Sequence, residues 1–312
     1  SVIKIHDRYR NAIRNSDDAQ VATRCSTPPA RHPPCVAARA PFRPGASVVR
    51  VSPSRPLRLL MDARYTRTDF HDGISRYGAS LLEAVARRAA APGPAGADVE
   101  VAMLISDERQ LALLPDGVPW HLVSGPTSPR EPFVARQVAR LRPDVVFSPM
   151  QTMGSWGRDY ALILTLHDLI YYEHRTPPRN LSEPIRWLWR AYHLTKIPQR
   201  LLLDRADAVA TVSRTTAELI ARHRLTRRPV HVVANAAQAV PEPRDPDETP
   251  DRTLLYMGSF MDYKDVESLV AAAPLLPGYT LHLLSRISPE RRGQLEDRLA
   301  ERRAVAGADG AD

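Results

Sequence analysis

The residues best suited to chemistry are His167 and Asp168, which directly follow the apolar run 161–166. An unbroken apolar run of this length is typical of a strand that is buried on both faces of a parallel sheet. Ligands of such sheets bind outside the carboxyl ends of the strands, where both side chains would lie. Two interpretations stay open. Either the pair is catalytic, or His167 hydrogen-bonds a loop carbonyl and Asp168 caps the next segment.

A second feature is Gly73, which stands at the start of a helix predicted over 73–88. The free backbone N–H groups and the dipole at a helix N-terminus favour an anion such as phosphate. A single glycine is not the G-x-G-x-x-G fingerprint of dinucleotide sites, so an ordinary N-terminal turn remains the alternative.

These residues must be positioned by strands and helices that alternate from Leu57 onwards. Strands are predicted over 57–62, 98–105, 119–123, 144–147, 161–166, 208–212 and 229–233. Helices are predicted between them over 73–88, 107–114, 131–141, 181–203 with an interruption at Pro198, and 215–223. Because parallel strands need covering crossovers, the alternation predicts an α/β fold with a doubly wound parallel sheet.

The chain as a whole predicts one complete Rossmann-like domain and the first part of a second. Residues 1–56 are rich in Pro and Arg and lack a helix or strand period, so we expect a disordered extension there. The first domain spans 57–237, and an acidic, Pro-rich linker spans 238–252. A partial second domain spans 253–312. Its strands are predicted over 253–257 and 279–284, and its helices over 264–273 and 288–303.

Composition narrows the class of protein. The net charge of +8 is carried almost wholly by Arg, which suits anionic small molecules or acidic lipid, and we expect no nucleic-acid partner. Cys25 and Cys35 are the only cysteines, which excludes a disulfide framework and a zinc spacing and favours a reducing cytoplasm. No apolar run approaches the roughly 18 residues of a membrane span.

The helical stretch 181–203 mixes Trp187 and Trp189 with Arg186 and Arg190. Such a mixture occurs in membrane-surface contacts and acceptor sites, and also in helices that pack on a sheet. Both interpretations stay open, and the first would add a peripheral contact with the inner face of the membrane.

Residues 57 to about 290 resemble the retaining glycosyltransferases of family 4, which have the GT-B fold and use nucleotide-sugar donors. Four segments carry the resemblance, and their order and spacing make it specific. They are Asp72-Gly73-Ile74-Ser75-Arg76-Tyr77, Leu166-His167-Asp168, Ala206-Asp207-Ala208-Val209-Ala210-Thr211-Val212-Ser213 with Asn235-Ala236, and Met257-Gly258-Ser259-Phe260-Met261-Asp262-Tyr263-Lys264-Asp265.

The resemblance implies a hexosyltransferase that joins a nucleotide-sugar donor to a glycan, lipid or small-molecule acceptor, with its site between the two domains. His167 and Asp168 would be catalytic, with His167 beside the transferred sugar. Donor binding would fall to Gly73, Asn235, Gly258, Ser259 and Lys264, with Lys264 on the diphosphate. A cation there would stabilise the negative charge that develops as the diphosphate departs.

No cofactor or metal is expected for this chemistry. Asp245-Pro246-Asp247 has the D-x-D pattern of metal-dependent sugar transfer, but it lies in the predicted linker, so it is assigned no metal.

Two departures from the family weaken the donor site. Ser259 stands where many members have Arg, and no Glu-x7-Glu segment follows Lys264. The sequence therefore predicts a chain truncated at its C-terminus, with little or no transferase activity. Two alternatives remain: a sugar-nucleotide 2-epimerase of the same architecture, and a non-catalytic fragment.

Overall fold

The computed structural model describes residues 2–6, 55–91, 99–177, 182–237, 245, 247, 249, 251–285 and 287–308. The chain divides into two compact units, each described by itself. The larger unit is Ala40–Ala239, and the smaller unit combines Ser1–Arg39 with Val240–Asp312.

The strands of the described residues are short and follow the apolar runs of the sequence. They are Val2–His6 (β1), Leu57–Asp62 (β2), Val99–Ile105 (β3), Trp120–Leu122 (β4), Val145–Ser148 (β5), Ala161–Leu166 (β6), Ala208–Thr211 (β7), Val230–Val232 (β8), Thr253–Tyr256 (β9) and Thr280–Leu284 (β10).

The α-helices of the described residues alternate with these strands. They are Gly73–Ala90 (α1), Val134–Ala139 (α2), Ile170–Glu173 (α3), Glu183–Leu194 (α4), Ile197–Leu203 (α5), Arg214–Arg222 (α6), Val266–Ala272 (α7) and Pro289–Ala308 (α8). Short segments of 3-10 helix occupy Glu108–Leu113, Glu131–Phe133, Asp262–Lys264 and Ala273–Leu275. None of these helices is both long enough and apolar enough to cross a bilayer.

Seven parallel strands form the sheet of the larger unit, in the order β4-β3-β2-β5-β6-β7-β8. The chain runs outward from β2 to β4, returns to β5 beside β2, and then proceeds in the opposite direction. The order of the strands thus reverses between β2 and β5, and sheets of this kind bind ligands in the crevice at the carboxyl ends of two such strands.

Helices cover both faces of this sheet, as the strand β2 shows. Leu60 packs in one apolar cluster with Val134 and Val138 of α2, whereas the adjacent Met61 packs in another cluster with Leu82 of α1. Successive strand residues point to opposite faces, so a strand covered on both faces must be continuously apolar. The predicted α/β class with a doubly wound parallel sheet is confirmed.

The smaller unit has a parallel sheet of three strands in the order β1-β10-β9. Val266 and Val270 of α7 and Leu295 of α8 pack on Leu283 of β10. The expectation that residues 1–56 lack regular structure is wrong at Val2–His6, which pair with β10 along the whole strand. Pairing with a partner so distant in sequence leaves no local signal. Residues 7–54 and most of the predicted linker lie outside the described residues.

The helix predicted over 181–203 is two helices, α4 and α5, and the break falls at Thr195 and Lys196 instead of at Pro198. Pro198 lies in the first turn of α5, where its missing N–H would have no helical acceptor in any case. Proline thus begins the second helix here and does not interrupt a single long one.

Candidate functional site

The crevice of the larger unit places His167 at the carboxyl end of β6, beside the loop that leaves β5. Nε2 of His167 lies 2.8 Å from the carbonyl oxygen of Pro149. A carbonyl only accepts, so Nε2 carries the proton and donates it, and Nδ1 of the neutral ring is left as an acceptor. Thr216 also donates its hydroxyl to the backbone oxygen of His167, at 3.2 Å. The first contact orients the imidazole, and the second holds the backbone that carries it.

The charge state of His167 follows from its surroundings. Burial lowers the pKa of His167 from its ordinary value and outweighs the opposing effects of the Pro149 hydrogen bond and of the Asp168 charge. The imidazole is therefore neutral at neutral pH. A neutral ring with a free acceptor nitrogen can accept a hydrogen bond from a hydroxyl group of a ligand.

Tyr77 of α1 contacts both His167 and the residue that follows β8. Its ring meets the imidazole edge-on, with 5.1 Å between the ring centroids, and its hydroxyl donates to the backbone oxygen of Val233 at 3.3 Å. Burial raises the pKa of Tyr77 to about 12, so the phenol keeps its proton. Tyr77 ends the Asp72–Tyr77 segment of the family resemblance, but its role at the site was not predicted from the sequence. Its spacing of four residues from Gly73 was the available signal.

Asp168 makes the contact that the structural interpretation predicts. Its side chain is exposed, and Oδ1 accepts a hydrogen bond from the backbone N–H of Ile170 at 3.1 Å, which starts α3. His167 likewise contacts a loop carbonyl, as that interpretation predicts. Neither contact bears on catalysis, so the catalytic assignment of both residues stays a prediction.

Gly73 is the first residue of α1. The carboxylate of Asp72 caps the helix by accepting from the backbone N–H of Ser75 at 2.9 Å, and Arg67 holds the other carboxylate oxygen at 2.9 Å. A Cβ on Gly73 would meet no atom within 4 Å. The glycine is therefore not required by packing, and the space beside the first turn of α1 is open to a ligand.

A buried charge cluster under the crevice was missed by the sequence analysis. Arg64 donates to both carboxylate oxygens of Asp62 at 2.8 and 3.0 Å and to both of Glu131 at 2.7 and 3.0 Å. The side chains of Arg64 and Asp62 are 0% exposed. Burial opposes the charge of Arg64, but the two carboxylates outweigh it and raise its pKa.

This cluster fixes the loops that leave β2 and β5. Ser148, the last residue of β5, donates its hydroxyl to Asp62 at 3.0 Å, and the backbone N–H of Gly154 donates to Glu131 at 3.1 Å. The loop that presents the Pro149 carbonyl is therefore bonded at both ends. A charged pair directly after an apolar strand, Asp62 and Arg64, was the signal in the sequence.

Asn235 is exposed and lies two residues beyond Val233, the acceptor of Tyr77. Tyr77 belongs to α1, the helix that begins at Gly73, and it contacts both His167 and the backbone two residues before Asn235. The three predicted residues are thus linked through Tyr77 within the larger unit.

The other predicted residues lie in the smaller unit, at the carboxyl end of β9. The backbone N–H of Gly258 donates to Ser285 Oγ at 3.1 Å, and the Tyr256 hydroxyl donates to the backbone oxygen of Ser259 at 2.7 Å. A Cβ on Gly258 would lie 2.9 Å from that hydroxyl oxygen, so packing favours glycine.

Lys264 is exposed and ends a 3-10 turn, with its ammonium 5.4 Å from the centroid of the Tyr263 ring. The helix predicted to begin at Lys264 begins at Val266, after Asp265 in a left-handed conformation with φ of 47°. Asp265 uses its carboxylate to accept from the Ser268 hydroxyl at 2.7 Å. The lysine therefore precedes the helix and is not part of its first turn.

Across the described residues, no three His, Cys, Asp or Glu side chains lie close enough together to hold a metal ion. Asp245 of the D-x-D segment accepts from the backbone N–H of Asp247 at 2.9 Å.

The profile of Glycosyltransferase Family 4 matches residues 71–238, a segment that includes Gly73, His167, Asp168 and Asn235. No curated protein sequence matches the chain. Among solved structures, sucrose-phosphate synthase from Thermosynechococcus elongatus is similar with 17% sequence identity and a TM-score of 0.46, over 81% of this chain and 67% of that one. Since the family match covers more than half of the 312 residues, the chain belongs to glycosyltransferase family 4.

Proposed function

We propose that this glycosyltransferase moves a hexosyl group from a nucleotide-sugar donor to a glycan, lipid or small-molecule acceptor, without a metal or cofactor. The observation that carries the proposal is the neutral, oriented imidazole of His167 at the edge of the β2–β5 crevice. The larger unit would hold the acceptor and contact the transferred sugar.

The side chains and helix terminus of the larger unit suit a ligand that joins a sugar, which is uncharged and rich in hydroxyl groups, to a phosphate. Nδ1 of His167 is an acceptor for a sugar hydroxyl. The N-terminus of α1, a helix of 18 residues, offers backbone N–H groups beside the open space at Gly73. Such a terminus attracts anionic groups, which supports a role near the donor diphosphate. Asp168, already engaged with Ile170, is the weaker catalytic candidate.

The smaller unit supplies the cation in this proposal. Departure of a nucleoside diphosphate develops negative charge, and a lysine ammonium stabilises that charge. Lys264 is exposed, and the turn at Gly258 and Ser259 precedes it at the carboxyl end of β9. These three residues would bind the diphosphate, and Asn235 of the larger unit would add a donor contact.

Calorimetry with a nucleoside diphosphate tests the donor site without requiring turnover. Lys264→Ala should weaken binding about tenfold, the loss expected for one charge-assisted contact, whereas Lys264→Arg keeps the charge and should retain most of the affinity. Equal affinity of wild type and Lys264→Ala would remove Lys264 from the site.

Turnover tests His167. Nucleotide-sugar consumption in the presence of acceptor sugars and lipids should fall at least about 100-fold in His167→Ala, since the ring would act in the transition state. Unchanged turnover would contradict the assignment. The same incubation without an acceptor separates transfer from epimerisation, because only epimerisation proceeds with the donor alone.

A further inference from the structure

Helix α4 presents an apolar face that no other described element covers. The helix has no buried residue, and Trp187, Leu194, Leu188 and Ile185 are 70%, 65%, 64% and 51% exposed. Trp187 and Leu194 lie two turns apart on one side of the helix, and Leu188 lies about 100° further round the same outer side. Ile185 lies on the other side, with Trp189 and His193. Trp187, Leu188 and Leu194 are the α4 apolar face.

The exposed face is not a sign of a loosely attached helix, because the opposite face is packed. Trp189 and His193 stack with 4.0 Å between ring centroids, and Trp189 meets Tyr171 edge-on at 5.2 Å. His193 also contacts Tyr172, at 5.2 Å. Aromatic packing on α3 therefore holds α4 with Trp187, Leu188 and Leu194 turned outwards.

Basic residues outnumber acidic ones on α4 and α5. Residues 183–203 contain Arg186, Arg190, Lys196 and Arg200, against the single carboxylate Glu183, which pairs with Arg186. Solvent-exposed apolar residues bordered by Lys and Arg are the pattern of helices that lie in a membrane interface.

A cleft of ≈ 580 Å³ adjoins the C-terminal end of the α4 apolar face. Leu194 belongs to both, and Arg175, Lys196 and Arg200 add basic groups to the lining, with Glu173 as a carboxylate. A cleft that joins aliphatic surface to basic side chains suits a ligand with an apolar tail and an anionic head.

We propose that the α4 apolar face docks on a bilayer that contains acidic lipids, with a lipid phosphate in the adjoining cleft. A helix of 12 residues is about 18 Å long, shorter than the roughly 30 Å hydrocarbon core, so α4 lies on the membrane and does not cross it. A second copy of the chain is a poorer occupant, because a two-fold contact through this face would bring the same cations together. The proposal does not depend on sugar transfer.

Co-sedimentation of the full chain with vesicles tests the proposal. Binding should occur to an equimolar mixture of phosphatidylcholine and phosphatidylglycerol, exceed binding to phosphatidylcholine alone, and weaken as salt is added. Trp187→Ala with Leu188→Ala should lower the partition coefficient at least about tenfold, because both side chains would enter the interface. Arg190→Gln and Lys196→Gln should each lower it about fivefold.

Matched controls separate this face from general surface effects. Trp120→Ala removes an equally polar ring that is 41% exposed on β4, the strand at one edge of the sheet, and Arg87→Gln removes an exposed cation from α1. Both should bind vesicles as wild type does, and circular dichroism should be unchanged in all variants. Equal binding by wild type and the Trp187→Ala, Leu188→Ala variant, equal binding to neutral vesicles, or no binding to either overturns the proposal. So does a lipid-free dimer that this variant dissociates without any vesicle binding.

Discussion

At the scale of single residues, the neutral state of His167 couples folding to pH. Its pKa in the folded chain lies below the ordinary 6.5, while the unfolded chain titrates near 6.5. Between these two values the unfolded chain binds more protons, so stability is full above about 6.5 and declines as the pH falls towards the folded pKa.

Replacing the titrating ring should therefore reduce the pH dependence of stability. His167→Gln can still donate to the Pro149 carbonyl but cannot be protonated, so its melting temperature should fall less than that of wild type between about pH 7.5 and about pH 5.5. Burial lowers the pKa of His71 and His193 as well, so some dependence should persist. His231→Gln, on the exposed side of β8, is the control. Identical curves for wild type and His167→Gln would contradict the proposed charge state.

The buried guanidinium of Arg64 is the residue on which the crevice loops depend. Arg64→Met would leave the carboxylates of Asp62 and Glu131 buried without a cation, a change that typically costs 3–5 kcal/mol, and we expect a loss of about that size in urea unfolding. Arg109→Met breaks an exposed pair with Asp107 and should leave the midpoint unchanged. A midpoint within error of wild type for Arg64→Met would show that the cluster does not stabilise the fold.

At the scale of elements, the loop after β5 is held by the close approach of Gly154 to the 3-10 turn at Glu131–Phe133. A Cβ on Gly154 would lie 1.7 Å from the backbone oxygen of Glu131. Gly154→Ala should therefore displace the backbone and destabilise the chain by at least about 2 kcal/mol, measured by urea unfolding.

A second glycine provides the comparison for that substitution. Gly293 lies inside α8, where a Cβ would meet no atom within 4 Å. Gly293→Ala should be neutral or stabilise by roughly 0.5–1 kcal/mol, because alanine loses less backbone entropy in a helix. Equal effects of the two substitutions would show that the contact at Gly154 carries no strain.

Strands and helices could be predicted where a pattern within the element's own residues indicates it. The apolar run of β6 is such a local feature, and the predicted strand is confirmed. The Ser213 cap of α6, whose hydroxyl accepts from the backbone N–H of Thr216 at 3.0 Å, is local as well. The split between α4 and α5 was misplaced, since a proline stops a helix or starts one depending on the turn in which it falls.

The candidate site was predictable only in part, because its contacts join distant segments. Position at a strand end drew attention to His167, but the partners that orient it, Pro149, Tyr77 and Thr216, come from three other elements. The Arg64 cluster joins residues 67 positions apart, and no periodicity encodes such a contact. The roles of Gly258, Ser259, Lys264, Asn235 and Asp168 stay predictions from the family resemblance.

At the scale of the whole molecule, β1 near the start of the chain adds the third strand to the sheet that β9 and β10 form near its end. Val2 pairs with Thr280 and His6 with Leu284, so β10 lies between β1 and β9. Without β1, one side of β10 would become a sheet edge with unpaired N–H and C=O groups. We therefore expect residues more than 270 positions away to protect those backbone amides of β10 that point towards β1.

Deletion of residues 1–6 should accelerate hydrogen exchange across Thr280–Leu284, measured by mass spectrometry on peptides of the full chain. Strands β5 and β6 of the larger unit serve as the internal control, since they belong to the other sheet and should keep their protection. The amides of β10 that bond to β9 should also stay protected, so the acceleration should affect only part of the strand, because neighbouring residues of a parallel strand bond to opposite sides. Unchanged exchange across β10 would show that the pairing of β1 contributes nothing to the smaller unit.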